Sequence, residues 1–356
     1  MLLPVVRSTA RAVRRPTAVL AGVLTALLTL SVFVSSPATA DPRSDAAPRN
    51  HAVPGSDDGR LHSLTHIGDN LWQATAYSAA MDAEIPLSII RPAGTPAGAP
   101  TFYLLNGAGG GEDGANWLAQ TDILKLFADK RVNVVIPQKG IGTYYTDWIR
   151  RDPVIGQPMW QTFLTRELPR AVNTSLRTNG VNAIGGMSMS ATSVLNLAIA
   201  APALYQGVAA YSGCARTSTL DGYSAVRGTV YMANKANTDN MWGPFGSPLW
   251  TKYDPYVNAH KLRGLSLYLS SGTGTAGRYD KPGLQAPGAP SLGEQVVVGG
   301  LLEAAAHNCT SAMAARLRQL GIPATVHLSD SGTHSWRYWQ DELHRSWPTV
   351  AAALRR

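Results

Sequence analysis

Cysteines, nucleotide-binding glycine motifs and clustered charges are scarce in this chain. Its 356 residues include only two cysteines, and no Cys/His cluster has the spacing of a zinc site, so we predict no metal and no other cofactor. Glu303 and His307 are four residues apart, but two ligands do not make a metal site, and a helix-surface pair is the simpler interpretation. No phosphate-loop or Rossmann glycine pattern is present, which argues against a nucleotide-binding protein. There is also no Lys/Arg block, RNA-binding motif or internal repeat, so nucleic acid is not an expected partner despite a net charge of +8.

The first 40 residues have the three parts of a secretory signal peptide. Four arginines between Arg7 and Arg15 precede an apolar run over residues 18–34, and Ala38-Thr39-Ala40 forms a cleavage site. An uncleaved membrane anchor is the alternative, because the apolar run is almost long enough to span a bilayer. Cleavage would leave 316 residues (356 minus 40) and, with four arginines removed, a net charge of +4 instead of +8.

The rest of the chain is predicted to be one exported domain. Residues 41–60 are rich in Pro, Asp, Ser and Gly and are expected to be a disordered lead-in. Residues 61–356 are expected to form a single catalytic domain, secreted or held in the cell envelope without a stable membrane span. Export would permit a disulfide between Cys214 and Cys309. Two buried free thiols are the alternative, because cysteine also packs as a small hydrophobe.

Strand and helix patterns alternate along residues 61–356. Short apolar runs with β-branched or aromatic content predict strands, and apolar residues at helical spacing predict helices. The predicted strands cover residues 73–78, 86–91, 101–105, 132–137, 182–187, 207–212, 265–270 and 324–329, and the predicted helices cover 116–129, 160–176, 300–320 and 336 into the 350s. This order predicts an α/β fold with a mostly parallel central sheet and helices on both faces.

Ser188 occupies the turn between a predicted strand and a helical pattern that is clear from Ser193. The segment Gly186-Met-Ser-Met-Ser190 resembles the nucleophile elbow of α/β-hydrolases, a sharp turn that presents a serine hydroxyl above the sheet. Gly186 fills the first glycine position of G-x-S-x-G, but Ser190 fills the second. An ordinary Gly/Ser turn is the alternative.

A nucleophilic serine needs an adjacent base, and the base needs an acid that orients it. Of the eight histidines, His334 lies in the turn between the last predicted strand and the last predicted helix, where the hydrolase base belongs. A surface-loop histidine is the alternative interpretation.

The residues alone leave the acid open. Asp280 lies ten residues beyond the preceding predicted strand, near the usual position of the acid, and is favoured modestly over Glu303. Asp254 and Asp330 are also available. Asp330 is only four residues before His334 and fits a turn-forming role better.

An oxyanion hole requires two backbone N–H donors where negative charge develops. One is expected at Met189, directly after the serine. The other is expected at Ala108, in the glycine-rich turn Gly107-Ala-Gly-Gly-Gly111 that follows the strand at 101–105. A flexible loop or a phosphate cradle is the alternative for this turn.

Several segments resemble the secreted antigen 85 mycolyltransferases and their corynomycolyltransferase relatives. They occur in the family's order and cover nearly all of the chain after the signal peptide. The segments are Tyr103-Leu-Leu-Asn-Gly107, Tyr145-Thr-Asp-Trp148, Trp160-Gln-Thr-Phe-Leu-Thr-Arg-Glu-Leu-Pro169, Gly186-Met-Ser-Met-Ser190, Met241-Trp-Gly-Pro244, Leu301-Leu-Glu303 and Gly332-Thr-His-Ser-Trp336 followed by Tyr338-Trp339. Thr-His-Ser-Trp together with Trp-Gly-Pro is the most specific combination.

The resemblance implies an α/β-hydrolase fold and selects the acid. The family's catalytic glutamate lies in a Phe-Leu-Glu segment that Leu301-Leu-Glu303 matches, so the implied triad is Ser188, Glu303 and His334. The implied reaction is acyl transfer from a mycolyl or corynomycolyl ester through the serine to an acceptor hydroxyl. The familiar donor and acceptor are trehalose mycolates, with arabinogalactan as another acceptor, and Trp336 resembles the family's tryptophan beside the sugar.

One turn departs from the family pattern. The family reads Leu-Leu-Asp-Gly-Leu-Arg-Ala there, and its aspartate and arginine bind trehalose, whereas this chain has Asn106 and Gly109. Losing each charge-assisted hydrogen bond typically weakens binding by about 1.5–3 kcal/mol. A protein hydroxyl, another glycan or water is therefore an alternative acceptor, with Asn106 as a candidate contact to it.

Two other functions stay open from the sequence. A secreted carboxylesterase would share every step up to deacylation and would use water as the acceptor. A non-catalytic cell-wall or matrix-binding protein is the second alternative, because the family includes a member without the nucleophile. The complete set of Ser188, Glu303 and His334 argues against it. The expected partners of the enzyme are an acyl-ester lipid donor and a cell-envelope glycan or protein.

Overall fold

A mixed β-sheet forms the centre of the computed structural model, which describes residues 59–112, 114–285 and 289–355. Its strands are β1 (Ser63–Gly68), β2 (Leu71–Ser78), β3 (Ala83–Ile90), β4 (Thr101–Leu105), β5 (Asn133–Pro137), β6 (Asn182–Met187), β7 (Tyr205–Tyr211), β8 (Ser266–Ser271) and β9 (Thr325–Leu328). Their spatial order is β1-β2-β3-β5-β4-β6-β7-β8-β9. The predicted signal peptide at 1–40 and most of the predicted lead-in at 41–60 lie outside the described residues.

The sheet has an antiparallel part and a parallel part. Strands β1, β2, β3 and β5 pair in antiparallel fashion. All pairs from β5 through β4, β6, β7 and β8 to β9 are parallel. Because the carboxyl ends of parallel strands meet at one edge, the turns that follow β4, β6, β7 and β8 lie side by side.

Helices connect most of the parallel strands. They are α1 (Trp117–Gln120), α2 (Ile123–Phe127), α3 (Trp160–Thr162), α4 (Leu168–Leu176), α5 (Met189–Ala200), α6 (Leu220–Asn234), α7 (Pro248–Lys252), α8 (Leu292–Gln319) and α9 (Trp336–Leu354). A π-helical turn at Phe163–Glu167 joins α3 to α4, and a short 3₁₀ helix spans Ala259–Leu262. None of the described helices is long and apolar enough to cross a bilayer.

The central strands are buried on both faces. On β4, Tyr103 and Leu105 belong to one hydrophobic cluster, whereas Phe102 and Leu104 belong to another. Successive side chains of a strand point to opposite faces, so the two clusters lie on opposite sides of the sheet. The first cluster includes apolar residues of α4, α5 and α8, and the second includes those of α1, α2 and α9. Helices therefore cover both faces, as the strand–helix alternation predicts.

Two helix predictions differ from the structure. The helix predicted at 116–129 is broken between α1 and α2, because Thr121 adopts an extended backbone and Asp122 bonds instead to Gln340 and His344 of α9. The helix predicted at 300–320 begins at Leu292, where Ser291 and its partner Glu294 form a capping box. Strand β1 and helices α6 and α7 are absent from the prediction.

Candidate active site

Ser188 lies at the end of β6, directly before α5. Its backbone angles, φ 57° and ψ −124°, are unusual for a residue other than glycine and indicate a strained turn. The Ser188 N–H donates to the Tyr211 carbonyl at 2.9 Å, and its carbonyl accepts from the Ala191 N–H at 3.1 Å. A Cβ atom built on Gly186 would lie only 2.5 Å from Ser190 Oγ. The structure therefore has the sharp strand–turn–helix of a nucleophile elbow, with glycine required at its first small position.

Ser190 fills the second small position and bonds within the elbow. Its Oγ accepts from the Met187 N–H at 2.9 Å. Its single proton faces the carbonyl oxygens of Met187 and Leu105, at 3.0 and 3.3 Å. The hydroxyl thus connects the end of β6 with the end of β4, which is a role that glycine would not supply.

His334 and Glu303 form a hydrogen-bonded chain with Ser188. Ser188 Oγ lies 2.8 Å from His334 Nε2, and His334 Nδ1 lies 2.7 Å from Glu303 Oε2. An ionised carboxylate only accepts hydrogen bonds, so Nδ1 carries the proton and Nε2 accepts from the serine hydroxyl. In this arrangement a histidine can take the proton of a serine as the serine attacks.

The Glu303 carboxylate is enclosed by donors. Its side chain is 2% exposed, so Glu303 is not part of a helix-surface pair with His307. Oε1 accepts from Ser212 Oγ at 2.7 Å and from the Gly272 N–H at 2.6 Å. Together with His334 Nδ1 on Oε2, these bonds compensate for burial of the carboxylate.

Sequence reasoning does not single out Ser212 or Gly272. Both directly follow a strand of the parallel part, Ser212 after β7 and Gly272 after β8. Their position at the carboxyl edge of the sheet is the signal that would have found them. Trp339 Nε1 donates to Ser212 Oγ at 3.0 Å, which leaves the Ser212 proton for Glu303.

Asp280, which residue spacing favours as the acid, does not bond to the His334 ring. Its carboxylate instead bonds to Thr333 and Tyr338 on either side of that histidine. Asp254 bonds to the backbone and hydroxyl of Ser218, and Asp330 is exposed. Among these candidates, Glu303 is the carboxylate at the imidazole.

Ala108 and Met189 lie on the two backbone segments beside Ser188. Met189 is the first residue of α5, so its N–H has no acceptor within the helix. A Cβ atom built on Gly107 would lie 3.6 Å from Ser188 Cβ, which places the glycine-rich turn next to the serine. The Ala108 carbonyl accepts from the Gly142 N–H at 2.9 Å and so anchors that turn. The donation of both N–H groups to an oxyanion stays a prediction.

Asn106, the predicted contact to an acceptor, is enclosed by its own turn. Its side chain is fully buried, and Nδ2 donates to the Pro137 carbonyl at 3.1 Å. The same turn folds back over it, since a Cβ atom built on Gly111 would lie 2.4 Å from Asn106 Nδ2. Asn106 therefore joins β4 to β5, and its contact with an acceptor stays a prediction.

Trp336 packs in an aromatic cluster at the start of α9. It is 8% exposed and lies edge-to-face with Trp117 and Trp339 at ring-centroid distances of 5.5 and 5.3 Å. Trp339 also packs at right angles to the His334 ring, 4.8 Å away. A contact between Trp336 and a sugar stays a prediction.

Cys214 and Cys309 are joined by a disulfide. Cys214 follows β7, and Cys309 lies on α8, six residues after Glu303. The cross-link therefore ties the helix that carries Glu303 to the carboxyl edge of the sheet. Within the described ranges, no group of three or more His, Cys, Asp or Glu side chains is placed to hold a metal ion.

Comparison with known proteins assigns the chain to a family. The family model "Putative esterase" matches residues 78–350. The chain belongs to this esterase family. The esterase is 30% identical over 265 residues to the diacylglycerol acyltransferase/mycolyltransferase Ag85A of Mycobacterium tuberculosis, across 72% of this chain and 75% of that protein. It is 29% identical over 266 residues to Ag85B of Mycobacterium intracellulare, across 72% of this chain and 76% of that protein.

Two solved structures share the fold of this chain. The Mycobacterium tuberculosis protein MPT51 (FbpC1) superposes with a TM-score of 0.65 at 22% identity, over 79% of this chain and 97% of that one. An S-formylglutathione hydrolase from Agrobacterium tumefaciens gives a TM-score of 0.57 at 14% identity, over 83% and 99%. The predicted α/β-hydrolase fold and the resemblance to the antigen 85 proteins are confirmed, and the esterase is an enzyme of ester and acyl-transfer chemistry.

Proposed function

We propose that this esterase is an exported serine acyltransferase. It takes the acyl group of a long-chain ester, in the manner of a mycolyl or corynomycolyl donor, and passes it to a hydroxyl of a cell-envelope acceptor. The observation that carries the proposal is the chain from Ser188 through His334 to Glu303, with separations of 2.8 and 2.7 Å. The signal-peptide pattern at residues 1–40 supports export, and the names of the mycobacterial relatives support transfer to an acceptor.

The first half of the reaction forms an ester on the serine. Ser188 Oγ attacks the carbonyl carbon of the donor while His334 Nε2 takes the hydroxyl proton. The buried Glu303 carboxylate stabilises the imidazolium that forms. The N–H groups of Ala108 and Met189 hold the oxyanion of the tetrahedral intermediate. When this intermediate collapses, the bond to the donor alcohol breaks, the alcohol leaves with the proton from His334, and the acyl group stays on Ser188.

The second half transfers the acyl group. An acceptor hydroxyl approaches the acyl carbonyl, and His334 Nε2 takes its proton as the new carbon–oxygen bond forms. The second tetrahedral intermediate then releases Ser188 Oγ, which regains a proton from His334. Water that enters instead of the acceptor gives the free acid, so exclusion of water separates the transferase from a carboxylesterase.

A long acyl chain is supported by the outer face of α8. Val297, Val298, Leu301 and Leu302 share one side of this helix and are 42–62% exposed, and all four lie within two turns of Glu303. Exposed apolar side chains that share one face of a helix often mark a binding surface. Each CH₂ group buried against it contributes about 0.8 kcal/mol, which favours long chains over short ones.

The acceptor is proposed to be a glycan or protein hydroxyl other than trehalose. Asn106 is buried, and Gly109 has no side chain, so neither supplies the charged pair that the family pattern uses for trehalose.

A product assay tests the proposal. The purified protein is incubated with a long-chain acyl ester and with trehalose, an arabinan oligosaccharide or a hydroxyl-bearing peptide, and the lipid products are identified by mass spectrometry. Acylated arabinan or peptide, absent with Ser188→Ala, is the expected result. Free acid alone would overturn transfer and leave a carboxylesterase. Turnover that persists in Ser188→Ala would overturn the serine mechanism itself.

A further inference from the structure

Asp280 accepts four hydrogen bonds at the back of the site. Its Oδ1 accepts from Thr333 Oγ1 at 2.6 Å and from Gln295 Nε2 at 2.7 Å. Its Oδ2 accepts from the Gly277 N–H at 2.7 Å and from the Tyr338 hydroxyl at 2.7 Å. A carboxylate offers about four lone-pair positions, so one side chain connects the segment after β8, the first turn of α8 and the two sides of the His334 turn.

The donors to Asp280 flank both catalytic partners of Ser188. Thr333 directly precedes His334 and is 1% exposed, and Tyr338 follows His334 by four residues, in the first turn of α9. Gln295 lies two turns before Glu303 on α8. The His334 N–H also donates to the Gly299 carbonyl on that helix at 3.1 Å. Asp280 therefore lies where the turn that carries His334 contacts α8, the helix that carries Glu303.

We propose that Asp280 is a positioning residue of this esterase: it holds the turn that carries His334 against the helix that carries Glu303. The proposal rests on the proposed function, in which the 2.7 Å contact between His334 and Glu303 orients the imidazole for proton transfer. Asp280 itself does not touch the imidazole, so it acts through Thr333 and Tyr338.

The ionisation of Asp280 is consistent with this geometry. Burial opposes its charged form, but the hydrogen bonds from Thr333, Gln295, Gly277 and Tyr338 outweigh burial and lower the pKa of Asp280. Burial, followed by the bond to Asp280, raises the pKa of Tyr338. At neutral pH the carboxylate is therefore ionised and both hydroxyls are donors. An asparagine at position 280 would keep only one acceptor oxygen. Its amide group would face two of the four donors and could not accept their hydrogen bonds.

The variants Asp280→Asn and Thr333→Val test the proposal in the full-length protein. Each is expected to lower kcat for a soluble p-nitrophenyl ester by up to about 100-fold, the effect of a displacement near 1 Å in a catalytic group, with KM changed by less than about twofold. The double variant is expected to be no slower than Asp280→Asn alone, because both changes break the same contact. Thr333→Ser, which keeps the hydroxyl, is expected to lose less activity than Thr333→Val.

A matched control separates positioning from general stability. Asp152 is also a buried carboxylate that accepts three hydrogen bonds, from Val154, Asn237 and Asn240 at 2.9–3.0 Å, but it does not contact the His334 turn. Asp152→Asn is expected to lower the melting temperature without the loss of kcat. The NMR signal of the His334 Nδ1 proton is expected to shift or vanish in Asp280→Asn and to stay in Asp152→Asn.

The outcomes distinguish the positioning role of Asp280 from the proposed function. A folded Asp280→Asn variant with kcat within threefold of wild type and an unchanged His334 signal would overturn the positioning role. Equal losses of kcat in Asp280→Asn and Asp152→Asn would also overturn it. If Asp280→Asn does not fold, Thr333→Val decides by the same two criteria. A wild-type protein without Ser188-dependent turnover would overturn the proposed function. It would leave the positioning role testable, because the NMR signal of the His334 Nδ1 proton still reports the contact between His334 and Glu303.

Discussion

Replacing Glu303 with glutamine should place the wrong tautomer of His334 opposite Ser188. In the native site, Glu303 Oε1 faces two donors, Ser212 Oγ at 2.7 Å and the Gly272 N–H at 2.6 Å. A glutamine amide nitrogen at that position would face the Gly272 N–H, so the amide oxygen must take it. The amide nitrogen then occupies the Oε2 position and donates to His334 Nδ1. The imidazole proton moves to Nε2 and points at the serine, which can no longer transfer its own proton there.

The size of the loss follows from this exchange of tautomers. The equivalent substitution of the triad acid in the serine-protease template lowers kcat about 10⁴-fold, or ~5.5 kcal/mol of transition-state stabilisation. We expect a loss of about this size for Glu303→Gln, with the fold retained because the side chain keeps its volume and the bonds to Ser212 and Gly272.

The assay compares kcat for a soluble long-chain p-nitrophenyl ester in the wild type and two variants of α8. Glu294→Gln is the control, because Glu294 is exposed at the capping box and glutamine can also serve there. Circular dichroism and thermal melting establish that both variants are folded. A loss below tenfold in folded Glu303→Gln, or an equal loss in Glu294→Gln, would refute the assignment of Glu303 as the orienting acid.

Three further results are expected from the structure. The Cys214–Cys309 disulfide closes a segment of 95 residues, so replacing both cysteines with alanine should lower the free energy of unfolding by up to about 4.7 kcal/mol in the chain-entropy model. Urea denaturation measures this loss, and two free thiols in the unfolded, unreduced protein would contradict the bond. Ser190→Ala should lower the free energy of unfolding by about 1–3 kcal/mol, because the buried Met187 N–H loses its acceptor; an unchanged urea midpoint would count against it. Asp280 has a lowered pKa, so its contribution to stability is present above its unfolded pKa of about 3.9 and is lost as the pH falls through the lower folded value. Thermal melting from about pH 5 to about pH 2 should therefore show a shallower acid-induced loss for Asp280→Asn than for wild type, and identical slopes would contradict this.

The nucleophile and the base could be predicted from local patterns. Ser188 sits between an apolar strand and a helical repeat, and His334 sits in the last strand-to-helix turn, so each position follows from a change of periodicity. The acid could not be predicted in this way, because Glu303 is in the interior of a 28-residue helix and no turn marks it. Residue spacing favoured Asp280, and only the resemblance of Leu301-Leu-Glu303 to a family segment selected the glutamate.

The contacts around the triad depend on packing between distant segments. Ser212 and Gly272 reach Glu303 because β7 and β8 are neighbours in the sheet, which the order of residues does not state. The burial of Asn106 follows from the way its glycine-rich turn folds back over it, which the order of residues does not state either. The break between α1 and α2 has the same origin, because tertiary bonds from Asp122 override the helical pattern.

Trapping the acyl group on the enzyme tests the role of Ser188 as the nucleophile. The protein is mixed with a long-chain p-nitrophenyl ester without an acceptor, quenched in acid during the initial burst of p-nitrophenol, digested and examined by mass spectrometry. We expect one acyl group per molecule, on the peptide that contains Ser188, and no adduct in Ser188→Ala. Ester turnover without any adduct, or an adduct that persists in Ser188→Ala, would contradict it.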